Sequence, residues 1–216
     1  MLELACFHPR AVERAAEWGV PRVEFCADAL AGGTTPDPAD VRAVRAGYDG
    51  ILGAMARPVA GSFAYDRGAW LQLQRDAVAV VEAGADFVVF GALDEVGNWD
   101  SVRLRQVVSE LPVPSVLHRM FDDCADPLVA LEDAIDAGFH RILTGWGARD
   151  LEVLKSLRER ANGRIELLPG GGIRSANAQR YRAAGFDWIH SAALSSEAYR
   201  AAVPLPDEAE VKALML

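Results

Sequence analysis

Residues able to move protons or balance charge stand where short apolar runs end. Glu24 and Cys26 close Arg22-Val23-Glu24-Phe25-Cys26. Arg57 closes the run 51–57, His118 and Arg119 follow Ser115-Val116-Leu117, and His190-Ser191 follow Asp187-Trp188-Ile189. Glu3, Asp94, Asp122, Thr144 and Arg174 complete the set. Carboxylates and imidazoles are the usual proton carriers of general acid–base catalysis, so Glu24 and His118 are the candidates for that work. Arg57 and Arg119 are the candidates to neutralise charge, since a buried carboxylate is costly unless it is paired. His190 ends a run as His118 does, whereas His140 begins one and reads as structural. No set of His, Cys and carboxylate has a known metal-ligand spacing, no Ser-His-Asp order can be read, and no lysine ends a run to form a Schiff base.

A second feature suits an anion. Pro169-Gly170-Gly171-Gly172-Ile173-Arg174-Ser175 joins an apolar run to a helical pattern. Glycines let the backbone turn tightly and bring its N–H groups close to a ligand, and a helix start favours negative charge. Gly171, Gly172 and Arg174, with Ser191 at the end of the next strand, form a candidate site for a phosphate-like anion. The alternative is a glycine-rich turn that holds nothing.

These residues need a frame that gathers the ends of many strands. The chain alternates short apolar runs at 2–6, 22–26, 51–57, 87–90, 115–118, 141–144, 164–168 and 187–190 with seven helical patterns. Trp18-Gly19, Ala83-Gly84, Ala137-Gly138 and Ala184-Gly185 end every second helix in the same way, as a left-handed glycine does before the chain turns back. Eight strands and a repeated βαβα unit predict a compact (β/α)8 TIM barrel spanning 1–216, its site at the C-terminal strand ends. The eighth helix is weak or missing: 197–202 is followed by Pro204 and Pro206, and 203–216 reads as a tail able to form a short terminal helix. Alternation places Glu3, Glu24 and Cys26 inside the barrel, with Leu2, Leu4 and Cys6 on the other face.

Composition sets the remaining limits. The 216 residues are 51% hydrophobic with a net charge of −9. That suffices for one core and argues against a nucleic-acid surface. No apolar run approaches the ~20 residues of a membrane helix, and no secretory signal is visible. Cys6, Cys26 and Cys124 suggest neither a disulfide framework nor a zinc site. The expectation is a soluble cytoplasmic protein with free thiols. Its partner is a small anionic ligand or a metal ion, and assembly into a homo-oligomer is left open.

Several runs together resemble the CutC copper homeostasis protein family. They are Leu2-Glu3-Leu4-Ala5-Cys6, Arg22-Val23-Glu24-Phe25-Cys26-Ala27, Gly32-Gly33-Thr34-Thr35-Pro36, Arg57-Pro58 with Phe63-Ala64-Tyr65, and Gly91-Ala92-Leu93-Asp94 with Gly97-Asn98 and Asp100. His118-Arg119-Met120-Phe121-Asp122, Ile142-Leu143-Thr144, Gly171-Gly172-Ile173-Arg174 and Ile189-His190-Ser191 complete them. The resemblance, which reaches to about residue 195, implies a TIM barrel, a cytoplasmic place and a part in copper tolerance. It puts Cys26, and less directly Cys6, at metal positions, where copper(I) would seek soft thiolates. Ala5 and Ala64 stand where relatives carry further cysteines, which leaves this chain fewer soft ligands. The competing expectation is a TIM-barrel enzyme doing acid–base chemistry on a small anionic or phosphorylated metabolite.

Overall fold

The computed structural model describes residues 1–94, 99–145 and 150–216, so Gly97 and Asn98 of the resemblance lie outside the described residues. Strands β1 (Leu2–Cys6), β2 (Arg22–Phe25), β3 (Ile51–Met55), β4 (Phe87–Phe90), β5 (Ser115–Leu117), β6 (Arg141–Thr144), β7 (Glu166–Pro169) and β8 (Ile189–Ser191) form one parallel sheet. Their order, β7-β6-β5-β4-β3-β2-β1-β8, places β8 against β1, as a TIM barrel requires. Across the remaining seam, Ser191 Oγ donates to the Ile173 carbonyl just beyond β7, at 2.8 Å.

Helices α1 (Pro9–Glu17), α2 (Pro38–Arg45), α3 (Arg67–Glu82), α4 (Ser101–Glu110), α5 (Pro127–Ala137), α6 (Leu151–Ala161), α7 (Ser175–Ala183) and α8 (Glu208–Met215) surround it. Local chemistry sets their bounds. Asp37, Asp66, Asp100, Asp126, Asp150 and Asp207 each cap a helix by accepting backbone N–H bonds, which satisfies donors the helix cannot. The four glycines of the repeat all have positive φ, from +70° to +106°. The weak stretch 197–202 gives only a 3₁₀ turn at Ala198–Arg200, and the eighth helix is α8, the short terminal helix expected in the 203–216 tail. Pro204 and Pro206 delay it until Asp207 can cap it, and Val211 and Leu214 then bury its inner face. Among the described residues no helix is long and apolar enough to cross a membrane.

Strand parity divides the core into two layers. Leu2, Leu4, Cys6, Val23 and Phe25 pack outward with the helices. Cys26, Met55, Phe87, Val89, Val116, Leu143 and Leu168 fill the barrel itself. Gly53 faces Phe87 across the β3–β4 ladder, and a Cβ there would lie 2.1 Å from the Phe87 ring. The N-terminal end of the interior is plugged by charge. Arg22 Nε lies 2.6 Å from Glu3 Oε2, and Arg141 bridges Glu166 at 2.7 Å and Glu3 at 3.4 Å. The Arg22 guanidinium also lies 3.6 Å over the Trp188 ring. The arginines that neutralise Glu3 therefore come from strand starts. No ion pair joins Arg57 or Arg119 to Glu3 or Glu24 among the described residues, because both arginines follow their strands and reach the mouth instead.

Candidate functional site

Above the charged plug a cavity of about 600 Å³ opens at the C-terminal strand ends. Glu24, Cys26, Arg57, His118, Arg119 and His190 all line it. So do Gly171, Gly172, Arg174 and Ser191. Thr144 ends its strand at the same level but is fully buried and is not part of the lining.

Arg57 is built into the wall. Its guanidinium donates to the carbonyls of Ala31 and Gly33 at 2.7 and 2.8 Å and to that of Gly61 at 2.7 Å. It thereby ties the loop after β2 to the loop after β3. Phe63 packs under it, with Arg57 Cζ 4.9 Å from the ring centroid, and His118 lies against the same ring at 4.4 Å.

His118 caps the 3₁₀ turn Arg119–Asp123, its Nδ1 accepting the Met120 N–H at 3.2 Å. The accepting nitrogen carries no proton, so the ring proton of the neutral imidazole sits on Nε2. Burial, then the nearby charge of Arg57, pushes its pKa down to about 3. Nε2 has no hydrogen-bond partner among the described residues. His118 thus presents Nε2–H as a hydrogen-bond donor on the cavity wall. Gly91 makes room for it, since a Cβ there would lie 2.9 Å from the imidazole.

Glu24, His190 and Glu3 form a row, the two carboxylates buried and His190 partly exposed. His190 Nδ1 lies 2.8 Å from Glu3 Oε1, and His190 Nε2 lies 3.3 Å from Glu24 Oε2. Burial raises the pKa of Glu24 against the opposing charge of His190. Burial works against His190 too, but the Glu3 hydrogen bond and the Glu24 charge outweigh it and raise its pKa. In Glu3 burial is outweighed by the His190 hydrogen bond and by Arg22 and Arg141, which hold its carboxyl below the usual range. One atom from each of the three falls within 4.8 Å of the others, close enough to hold a metal ion. All three residues stand out in the sequence as polar strand residues. What joins them is inward parity together with the adjacency of β8 and β1, which exists only once the barrel closes.

The cysteines separate. Cys26 lies on the cavity wall, while Cys6 pairs with outward Phe25 and packs in the outer core. Burial pushes both thiols up. Met55 is a soft neighbour that sequence reasoning passed over. A Cβ on Gly33 would lie 3.3 Å from Cys26 Sγ and 3.4 Å from the Met55 methyl, so the thiol and the tip of the Met55 side chain share one patch of wall. Inward parity on β3 is the signal that would have found it.

The glycine loop is tightly constrained. Gly171 and Gly172 have φ of +75° and +78°, and a Cβ on Gly171 would strike the Gly145 carbonyl at 2.1 Å. The start of α7 already has protein partners. Glu210 accepts from Ser175 N and Oγ at 2.8 and 2.7 Å, Asn177 accepts from Arg174 N at 2.9 Å, and the Arg174 guanidinium donates to the Leu194 carbonyl.

Residues 1–195 match the family model described as CutC family. A family protein CutC of Citrobacter koseri is 33% identical over 198 residues, covering 89% of this chain and 79% of the relative. The copper homeostasis protein cutC homolog of Mus musculus is 35% identical over 202 residues, covering 91% and 74%. The crystal structure of CutC from Streptococcus agalactiae superposes with a TM-score of 0.82 at 26% identity, covering 89% of this chain and 98% of that one. With its motifs, its barrel and most of its length shared with these proteins, the chain belongs to the CutC family.

Proposed function

We propose that the chain serves copper homeostasis, the role named for its mouse relative, by holding copper(I) weakly at Cys26 on the wall of the mouth cavity. The observation that carries this proposal is the shared patch of Cys26 Sγ and the Met55 methyl beside Gly33. Copper(I) prefers thiolate and thioether donors, and this pair supplies one of each. Cys6 contributes nothing from the outer face. Glu3, Glu24 and His190 offer oxygen and nitrogen, a set for harder divalent ions, and Arg22 and Arg141 oppose a cation there. Binding must displace the thiol proton, so affinity rises with pH. A reducing compartment such as the cytoplasm would keep Cys26 available.

Competition against a copper(I) chelator tests the proposal. The parent competes modestly, Cys26→Ala loses at least about tenfold, Met55→Leu loses a few-fold, and Cys6→Ala matches the parent. Equal competition by Cys26→Ala and parent refutes it.

A further inference from the structure

Three buried polar atoms on the cavity wall have no hydrogen-bond partner among the described residues: Arg57 Nε, Glu24 Oε1 and His118 Nε2. Arg57 already spends its other guanidinium nitrogens on backbone carbonyls, which leaves Glu24 and His118, both 2% exposed and both on the lining. They differ in what they offer. His118 Nδ1 is committed to the Met120 N–H, so Nε2 presents a proton to a ligand oxygen. Glu24 Oε2 faces His190, so Oε1 is the oxygen left for the ligand. His190 is in turn fixed by Glu3, and Glu3 by Arg22 and Arg141, a backing that positions the carboxylate from behind. Arg119, also on the lining, adds positive charge that both Glu24 and His118 feel.

We propose that Glu24 and His118 form an acid–base site for a small carbonyl compound, Glu24 removing a proton from the carbon next to the carbonyl and His118 Nε2–H holding the oxygen. The balance closes within the site. The C–H electron pair becomes the C=C bond of an enolate while the carbonyl π pair moves onto oxygen. The proton rides on Glu24 Oε1 and trades with solvent, and a proton returns to the same carbon as the oxygen's electron pair re-forms the carbonyl, giving exchange with no co-reactant. A neutral imidazole suits this part, because it donates to a growing oxyanion without being acid enough to surrender its proton. Phe63 and Gly91 fix the ring, and the Met120 N–H fixes its tautomer. The cavity, about 600 Å³, has room for a compound of a few carbons. The chemistry needs no copper, although the Cys26 thiol is a hydrogen-bond neighbour of Glu24.

The test is α-proton exchange in D2O, followed by proton NMR, on pyruvate, hydroxypyruvate, dihydroxyacetone and glyceraldehyde. The parent should accelerate exchange of at least one compound above buffer. Glu24→Gln, which can still accept from His190, should fall to the buffer rate. His118→Asn retains an oxygen for the Met120 N–H but loses the Nε2 donor. It should slow exchange by about 100-fold at saturation, with little change in the half-saturating concentration. Nitrogen-15 NMR should show His118 neutral and protonated on Nε2 from pH 5 to 8, with that resonance shifting when oxalate, a planar mimic of an enolate, is added. Buffer-level exchange of all four compounds by the parent overturns the proposal. So does parent-like exchange by Glu24→Gln, or a His118 ring that gains a proton above pH 5. All of these measurements are made without copper, so failure of the copper reading leaves them standing.

Discussion

Replacing Glu3 by Gln removes one charge from the centre of the barrel and little else. Glu3 is 1% exposed and meets Arg22 Nε at 2.6 Å, His190 Nδ1 at 2.8 Å and Arg141 Nη1 at 3.4 Å. In the variant Arg141 keeps Glu166 at 2.7 Å, but Arg22, 2% exposed, is left with Glu166 at 3.8 Å. Stranding one partner of a buried ion pair costs about 3–5 kcal/mol. Glu166 remains and the amide oxygen still accepts, so the cost should sit near the lower end, about 3 kcal/mol. For a chain of this size that is a fall of about 6–12 °C in Tm. The pH dependence has a definite sign. The depressed Glu3 carboxyl stabilises above its unfolded value near 4.3, and that contribution disappears as pH drops through the lower folded value. The raised His190 stabilises below its unfolded value near 6.5, and its share disappears as pH rises through the higher folded value. The gap between parent and variant should therefore be widest at about pH 5–6.5, close in acid, and narrow in alkali to the arginine share. Thermal unfolding followed by circular dichroism from pH 3 to 9 measures it. A loss under about 2 °C at pH 6, or a gap that grows below pH 4, would refute the network as the source of this stability.

Gly53→Ala should destabilise by about 1–3 kcal/mol, since its methyl meets the Phe87 ring; Phe87→Leu in the same chain should recover part of the loss in urea unfolding, and an unchanged midpoint for Gly53→Ala would show that the interior yields. Glu210→Ala removes the acceptor of two Ser175 bonds, at 2.8 and 2.7 Å, and should cost about 2–3 kcal/mol. Hydrogen exchange should show the loss first at the start of α7, and equal protection there in parent and variant would exclude Glu210 as its cap.

The barrel was legible because its signals are local. Asp37, Asp126 and Asp150 announce helix starts, Gly84 and Gly138 announce helix ends, and the βαβα order leaves few topologies. Parity alone put Glu24 and Cys26 inside and Cys6 outside, as the β1–β2 register has it. Pairing was harder to read. Arg57 and Arg119 seemed natural partners for the buried carboxylates because they close strands, yet Glu3 is met by Arg22 and Arg141, which open them. The direction of a long side chain along the barrel axis is a tertiary property. His118 shows the same limit: its residue type does not say which ring nitrogen faces the cavity, and only the Met120 N–H settles that. α8 read only as a short terminal helix, because Pro204 and Pro206 break the pattern before Asp207 restarts it.

The row Glu3–His190–Glu24 spans 187 positions between its first two members. During synthesis Glu3, Arg22 and Glu24 are therefore made long before the histidine that unites them. Until β8 docks on β1, Glu3 and Glu24 have no imidazole between them, and the mouth lacks His190 and Ser191. Contacts of such long range are slow to form, because loop closure must be met before any reward. A ligand that requires the finished mouth would recognise only chains that have completed the ring. Occupancy would then act as a checkpoint on the last step of folding, holding β8 in place where the β7–β8 seam leans on side-chain bonds from Ser191 and Arg174.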